Sequence, residues 1–341
     1  MKKSLIALAV LGAFAGAASA QSSVTIYGFL DAAATKSYGN EDKRIVDGAL
    51  YGGGSRLGFR GVEDLGGGLK AVFGFEHRLD VDTGNANSGT FWAGYSTVGL
   101  VTPYGMINLG RQYTPAFLMV QNQIDPFGGE TVAQGREIGM RFGSTAVANP
   151  ATGRPVGENG QTSSTVYKTR FADSIRYDIS AAGFNFGASV GESSTANGVG
   201  NKAWSVAANY AAGPFWIGAG YENPGADEDK GWNIGGRWNA GFATFAAGYG
   251  RGTTASALDA TSWLVGATVP VGALDIKAVY ATSDIDVLGT SRKIGVGVHY
   301  NFSKRTKIYA DFARFGGDVT ALGTAVDDNK SGYDFGLKHS F

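Results

Sequence analysis

One periodic pattern constrains the fold of this chain more than any other feature. From residue 23 onward, segments of roughly ten residues alternate apolar and polar side chains and end in turn-forming residues, as half-buried β-strands do. Clear examples are 69–75, 204–210, 263–269 and 294–302. We predict sixteen strands, near 23–36, 50–62, 69–80, 91–101, 105–112, 166–179, 183–192, 202–211, 215–223, 231–239, 243–251, 261–270, 273–283, 292–302, 306–315 and 332–341.

The connections between these segments alternate in length. The short ones are 63–68, 102–104, 180–182, 212–214, 240–242, 271–272 and 303–305, and the long ones are 37–49, 81–90, 113–165, 193–201, 224–230, 252–260, 284–291 and 316–331. Tight turns on one rim and long loops on the other are typical of bacterial outer-membrane barrels. The pattern therefore predicts an all-β, 16-stranded antiparallel transmembrane β-barrel over residues 21–341. A soluble β-sandwich should not sort its loop lengths so regularly.

The polar face of the strands carries too much charge for a dry core. Burying seventeen charged side chains in an apolar interior would cost several kcal/mol for each unpaired ion. A barrel of this strand number can hold an aqueous channel, which removes that cost. Aromatic residues near strand ends, including Tyr27, are predicted to lie at the membrane interfaces. The predicted lumen residues are Asp31, Arg56, Arg60, Lys70, Glu76, Arg78, Arg170, Arg176, Asp178, Glu222, Arg237, Asp275, Lys277, Lys293, Asp311, Asp334 and Lys338.

The first twenty residues differ from the rest. Lys2 and Lys3 precede an apolar run at 5–14, and Ala18-Ser19-Ala20 resembles a cleavage site, so residues 1–20 are predicted to be a cleaved secretory signal peptide. The run is too short for a transmembrane helix. The absence of cysteine suits export through an oxidising periplasm. The balance of 29 basic and 29 acidic residues argues against a nucleic-acid partner.

The connection 113–165 is unusually long, and loops of this length are commonly functional or disordered. It follows Arg111 and contains Asp125 and Glu130. We expect its first half to fold into the lumen and narrow the pore, with its acidic groups facing arginines on the wall. Opposed charges would then set ion preference. The competing hypothesis is a solvated external loop.

Several short motifs together resemble the general porins of β-proteobacteria, the family that includes the neisserial porins. They are SVTIYG at 23–28, SRLGFRG at 55–61 before EDLGGG at 63–68, LGRQ at 109–112, SIRYD at 174–178 and GLKHSF at 336–341. The resemblance covers essentially the whole chain after the signal peptide. By position, Arg56 and Arg170 match constriction arginines of relatives, whereas a third arginine of some relatives falls near Gly94-Tyr95.

The resemblance implies a homotrimer with one pore per subunit, in contact with outer-membrane lipid and lipopolysaccharide, for passive diffusion of small polar solutes and ions. It also implies that Phe341 is a signal to the barrel-assembly machinery. The residues expected to line the pore or its constriction are Arg56, Arg60, Lys70, Glu76, Arg111, Asp125, Glu130, Arg170 and Arg176.

Enzyme chemistry has little support in the sequence. His77, His299 and His339 are the three histidines, and without cysteine we expect neither a metal site nor a cofactor. A barrel hydrolase with His299 as its base is conceivable, although no serine motif accompanies it. A substrate-specific channel and a barrel that serves as receptor or adhesin also stay open at this point.

Overall fold

The computed structural model describes residues 22–36, 43–49, 54–87, 89–139, 169–191, 202–223, 225, 230–253, 259–286, 289–317 and 331–341. The predicted signal peptide lies outside these residues. None of the helices in the described ranges is long and apolar enough to cross a membrane.

Antiparallel strands make up nearly all of the described chain. Their bounds are β1 Ser23–Lys36, β2 Lys43–Asp47, β3 Ser55–Gly66, β4 Leu69–Leu79, β5 Tyr95–Thr102, β6 Gly105–Tyr113, β7 Arg170–Ala181, β8 Phe184–Gly191, β9 Ala203–Ala212, β10 Phe215–Asn223, β11 Lys230–Asn239, β12 Thr244–Thr253, β13 Asp259–Val271, β14 Leu274–Ile285, β15 Gly289–Asn301, β16 Thr306–Gly317 and β17 Ser331–Ser340. Three short helices follow β6: α1 Phe117–Gln121, which is π-helical, α2 Asn122–Ile124 and α3 Arg136–Gly139.

The sheet closes on itself. Each strand from β3 onward pairs with the next along the chain, and β17 returns to pair with β1 from Phe29↔Ser340 to Lys36↔Tyr333. Backbone bonds between Phe341 and Gly28 extend this seam, at 3.0 Å and 3.2 Å. Closure pairs the first and last strands of the described sheet with each other, as the backbone of a barrel in lipid requires.

The second barrel strand is interrupted. Both β2 and β3 pair with the same side of β1, β2 with its end and β3 with its beginning. Seventeen strand segments thus occupy the sixteen positions of the predicted 16-stranded barrel. The prediction of a loop over 37–49 and a strand from residue 50 was wrong here, because Lys43–Asp47 already belongs to the sheet and the next strand segment begins only at Ser55.

Most other strand bounds lie close to the prediction. The strand expected to begin at 91 begins at Tyr95, and the one expected at 166 begins at Arg170. The register of β6 and β7 shifts between Gly110 and Gln112, and Asp173 on β7 has a φ of 45°. Such a bulge lets one strand hold an extra residue.

The two faces of the wall have opposite character. Apolar side chains such as Phe335 and Leu337 point outward, at 59% and 52% exposure, whereas Asp334 on the alternate face is buried. A barrel that is apolar outside and polar inside is the reverse of a soluble one and matches a lipid surround. The prediction that Tyr27 lies at a membrane interface was wrong. Its side chain has the same inward parity as Asp31, and its hydroxyl donates to Glu76 inside the barrel.

Candidate functional site

The first half of the long connection lies against the inner wall. We call residues 114–169 loop 3, of which 114–139 and 169 are described. Polar contacts with strands far apart in the barrel fix its path. The Ala116 N–H donates to Ser205 Oγ of β9 at 3.1 Å, and Lys277 Nζ of β14 donates to the Pro126 carbonyl at 2.8 Å. Loop 3 therefore crosses from β6 toward the far side of the barrel.

The described part of loop 3 is bound at Glu130 by two basic side chains of the wall. Glu130 Oε2 accepts from Lys338 Nζ of β17 at 2.5 Å, and Glu130 Oε1 lies 3.5 Å from Arg56 Nη2 of β3. Both cations also lie over the ring of Phe29 on β1, which stands between their strands. The next contact, from the Val132 N–H to Asp334 Oδ2 at 2.8 Å, continues the attachment along β17.

The neighbouring cations Lys338 and Arg56 keep Glu130 in its charged form. Burial raises the pKa of its carboxyl, but the positive charges of Lys338 and Arg56 outweigh burial and lower the pKa to about 2. Glu130 is therefore a carboxylate across the physiological pH range.

Two further arginines converge on one tyrosine hydroxyl. Arg78 Nη2 and Arg170 Nη2 donate to the Tyr113 hydroxyl at 2.5 Å and 2.6 Å, and the Arg170 guanidinium lies 4.2 Å from the centre of the Tyr113 ring. Arg78 also stands directly opposite Arg56 in the β3–β4 register. We call Arg56, Arg78, Arg170 and Lys338 the basic cluster. Like charges directly opposite each other destabilise a sheet, so this arrangement is kept at a cost in stability.

Glu76 balances part of this charge. Its Oε1 lies 2.8 Å from Arg78 Nη2, and its Oε2 accepts from the Tyr27 hydroxyl at 3.1 Å. Tyr27 in turn shares a 2.5 Å hydrogen bond with Tyr95. Tyrosine hydroxyls thus complete the set of polar groups around Glu76.

Asp125 is engaged within loop 3 itself. Its Oδ1 accepts from the Phe127 N–H, and its Oδ2 accepts from the N–H groups of Gly135 and Arg136, each at 2.9 Å. Its charge therefore organises the loop backbone, a use that differs from the wall-facing one expected from the sequence.

The remaining predicted pore residues are spread along the wall. Arg60 and Lys70 have the inward parity of Arg56 and Glu76 and are exposed nearer the short turns, with the Arg60 guanidinium 5.2 Å from the centre of the Tyr27 ring. Arg176 is paired with Asp178 at 2.6 Å. Arg111 donates from Nε to the Ala93 carbonyl at 3.2 Å, in the segment before β5.

Two residues of the lumen, Tyr113 and Lys307, were not among those expected from the sequence. Lys307 lies beside His299, with its Nζ 3.4 Å from Nδ1. It shares the parity of Asp311 on β16, and this parity could have identified it as a lumen residue. Tyr113 carried no such signal, because its role depends on arginines from two other strands. Within the described ranges, no group of acidic and histidine side chains could hold a metal ion.

Comparisons with known proteins agree on one family. A family model for Gram-negative porins matches residues 7–320. Outer membrane porin protein 32 of Delftia acidovorans is 32% identical over the full length of both chains.

Solved structures give the same result. An anion-selective porin from Comamonas acidovorans superposes with a TM-score of 0.73 at 25% identity, covering 94% of this chain and all of that one. The trimer form of OmpT, an outer membrane protein of Vibrio cholerae, superposes with a TM-score of 0.67 over 94% of this chain and 99% of its own, and at 16% identity it supports the fold alone.

Proposed function

Because the chain belongs to the Gram-negative porin family and forms an outer-membrane channel for passive diffusion, we propose that loop 3 narrows its lumen and that the narrowed lumen favours small anions over cations. The family accounts for the channel. The residues at the narrow part account for the charge preference.

The observation that carries this proposal is the excess of cations where loop 3 meets the wall. Among the described residues, Arg56, Arg78, Arg170 and Lys338 lie together there, whereas two carboxylates, those of Glu130 and Glu76, form ion pairs with members of this group. An excess of positive charge creates a positive potential that raises the local concentration of anions. The anion-selective Comamonas porin is consistent with this proposal.

The test is the reversal potential of the purified protein in a planar bilayer under a potassium chloride gradient. We expect a sign that reports chloride preference, and we expect Arg56→Gln to reduce the chloride-to-potassium permeability ratio at least twofold. Arg251→Gln is the matched control, because Arg251 pairs with Asp259 at an exposed site on the outward parity of β12. A potassium preference in the unaltered protein would contradict the proposal.

Assembly is proposed from the family resemblance. We infer a homotrimer in outer-membrane lipid and lipopolysaccharide, inserted by the barrel-assembly machinery with Phe341 as the signal. The outward exposure of the Phe341 side chain, at 44%, supports recognition by a partner. The trimer should migrate as a heat-sensitive band of three times the chain mass on a denaturing gel.

An enzymatic role is not part of this proposal. His299 is buried, its Nε2 lies 3.1 Å from Asp311 Oδ1, and its Nδ1 lies beside Lys307. A triad histidine needs one nitrogen beside the nucleophile and the other beside the carboxylate. Here the second nitrogen faces a cation, which favours a structural role.

A further inference from the structure

A row of polar side chains crosses the inner wall near the short turns. Ser180, Asn185 and Asn209 stand directly opposite one another on β7, β8 and β9. The Ser180 hydroxyl donates to Asn185 Oδ1 at 2.6 Å, and Asn185 Nδ2 donates to Asn209 Oδ1 at 2.8 Å. Because short turns mark the periplasmic rim of such barrels, the row lies on the periplasmic side of loop 3.

An indole ring closes one end of this row. The residue opposite Asn209 on β10 is Gly218, and a Cβ added there would lie 3.0 Å from ring atoms of Trp216. The indole therefore covers the space that a side chain at 218 would fill. The Arg237 guanidinium lies 4.9 Å from the centre of the same ring and helps to fix its orientation.

Loop 3 covers this part of the wall. Asn209 Nδ2 donates to the Met119 carbonyl at 3.1 Å, and Gln123 also reaches the space below α1. The result is a groove of about 370 Å³, which lies within the range of small-molecule sites.

The charged side chain that lines the groove, Asp178, is already paired, because Arg176 binds its carboxylate through Nε and Nη2. The Arg237 guanidinium lies beside the indole ring and is not among the lining side chains. Asn185 uses one amide N–H within the row and Asn209 uses one to bind the Met119 carbonyl, and among the described residues no further partner is seen for either amide nitrogen. An amide can donate and accept together, which suits hydroxyl groups, since these do the same. The indole adds an apolar surface for C–H groups.

We propose that this groove is a binding subsite for a small, uncharged, polyhydroxylated solute of hexose size. The proposal rests on the proposed channel function only because the solute reaches the groove through the lumen. A hexose combines hydroxyls that need both donors and acceptors with a C–H face that packs on an aromatic ring. A plain diffusion channel needs no such combination on its wall.

Glucose titration of the single-channel current tests this subsite. We expect glucose to reduce the current in a saturable manner, and we expect Trp216→Ala to raise the half-saturating concentration about tenfold or more. Trp238→Ala is the matched control, because Trp238 lies on the next strand and is 47% exposed on the outer face. A polyethylene glycol of the same hydrodynamic size, which lacks the ring of hydroxyls, should reduce the current without saturation.

A second measurement separates this proposal from the channel itself. Saturation-transfer difference NMR with glucose should show contact with the detergent-solubilised, folded protein, and that signal should weaken in Trp216→Ala. A conducting protein in which glucose acts only like the glycol, with no transfer signal, would overturn the subsite. A transfer signal in a protein that conducts no current would support the subsite and overturn the diffusion channel.

Discussion

At the scale of single residues, Glu130 is the carboxylate through which loop 3 balances part of the positive charge of the wall. It is the loop carboxylate bound to both Arg56 and Lys338, and these two cations come from opposite ends of the chain. The sequence placed Glu130 in a loop and both cations on strands. It could not pair them, because the contact with Lys338 spans 208 residues and depends on closure of the barrel.

Neutralising Glu130 should strengthen the anion preference. In Glu130→Gln the two cations lose their counter-charge, so we expect the chloride-to-potassium permeability ratio to rise at least twofold at pH 7. Reversal potentials under a salt gradient give this ratio. Glu63→Gln removes an equal charge from the exposed end of β3 and should leave the ratio unchanged. An equal change in both variants would mean that Glu130 acts only through net charge.

The pH dependence of the same contact has a definite sign. The pKa of Glu130 is lowered from 4.5 to about 2, so its ion pairs contribute fully above pH 4.5 and are lost as the pH falls toward 2. The difference in reversal potential between the unaltered protein and Glu130→Gln should therefore stay constant from pH 8 to pH 5, since titration of other groups affects both proteins. Loss of this difference near pH 6 would contradict a pKa of about 2 for Glu130.

At the scale of elements, one buried carboxylate stabilises the interruption between β2 and β3. Asp47 accepts from the N–H of Ala49 at 3.0 Å, of Ser55 at 2.9 Å and of Val81 at 3.3 Å. Asp47→Ala should leave these buried donors unpaired and lower the free energy of unfolding by about 1–3 kcal/mol. Urea denaturation of the refolded protein measures this loss.

Asp64→Ala is the control for Asp47. Asp64 also accepts a backbone N–H, from Gly66 at 2.9 Å, but at the exposed end of β3. Water can replace that bond, so the change should stay within about 0.5 kcal/mol. Equal losses in the two variants would argue against a special role for Asp47.

The fit of loop 3 against the wall depends on glycine at position 295. A Cβ there would lie 2.1 Å from the Ala133 carbonyl oxygen, so Gly295→Ala should push the loop backbone toward the pore axis. We expect a lower single-channel conductance and a loss of about 1–3 kcal/mol in stability. Gly316→Ala on β16 adds the same methyl with nothing within 4 Å and should change neither. An unchanged conductance in Gly295→Ala would mean that the narrowest part of the lumen does not lie at this contact.

The strands were more predictable than their interruptions. Alternation located long strands such as β1 and β10, because outward and inward side chains meet different solvents along their whole length. The five residues of β2 are too few for alternation to be decisive, and their place in the sheet depends on pairing with β1. Trp216 shared the inward parity of Glu222, yet only the structure shows which side chains surround it.

At the scale of the whole molecule, the sequence already predicted a barrel that is polar inside and apolar outside. Charges on one parity and apolar residues on the other required an aqueous interior. The path of loop 3 could not be predicted in the same way, because it is fixed by contacts such as Asn209 with Met119 and Asp334 with Val132. These join the loop to strands far along the chain.

Single-channel conductance of the purified, refolded protein in a planar bilayer tests the central claim most directly. An open porin predicts stepwise increases in current that are proportional to voltage and to salt concentration. A folded, heat-resistant barrel that inserts into the bilayer and passes no current would contradict the account.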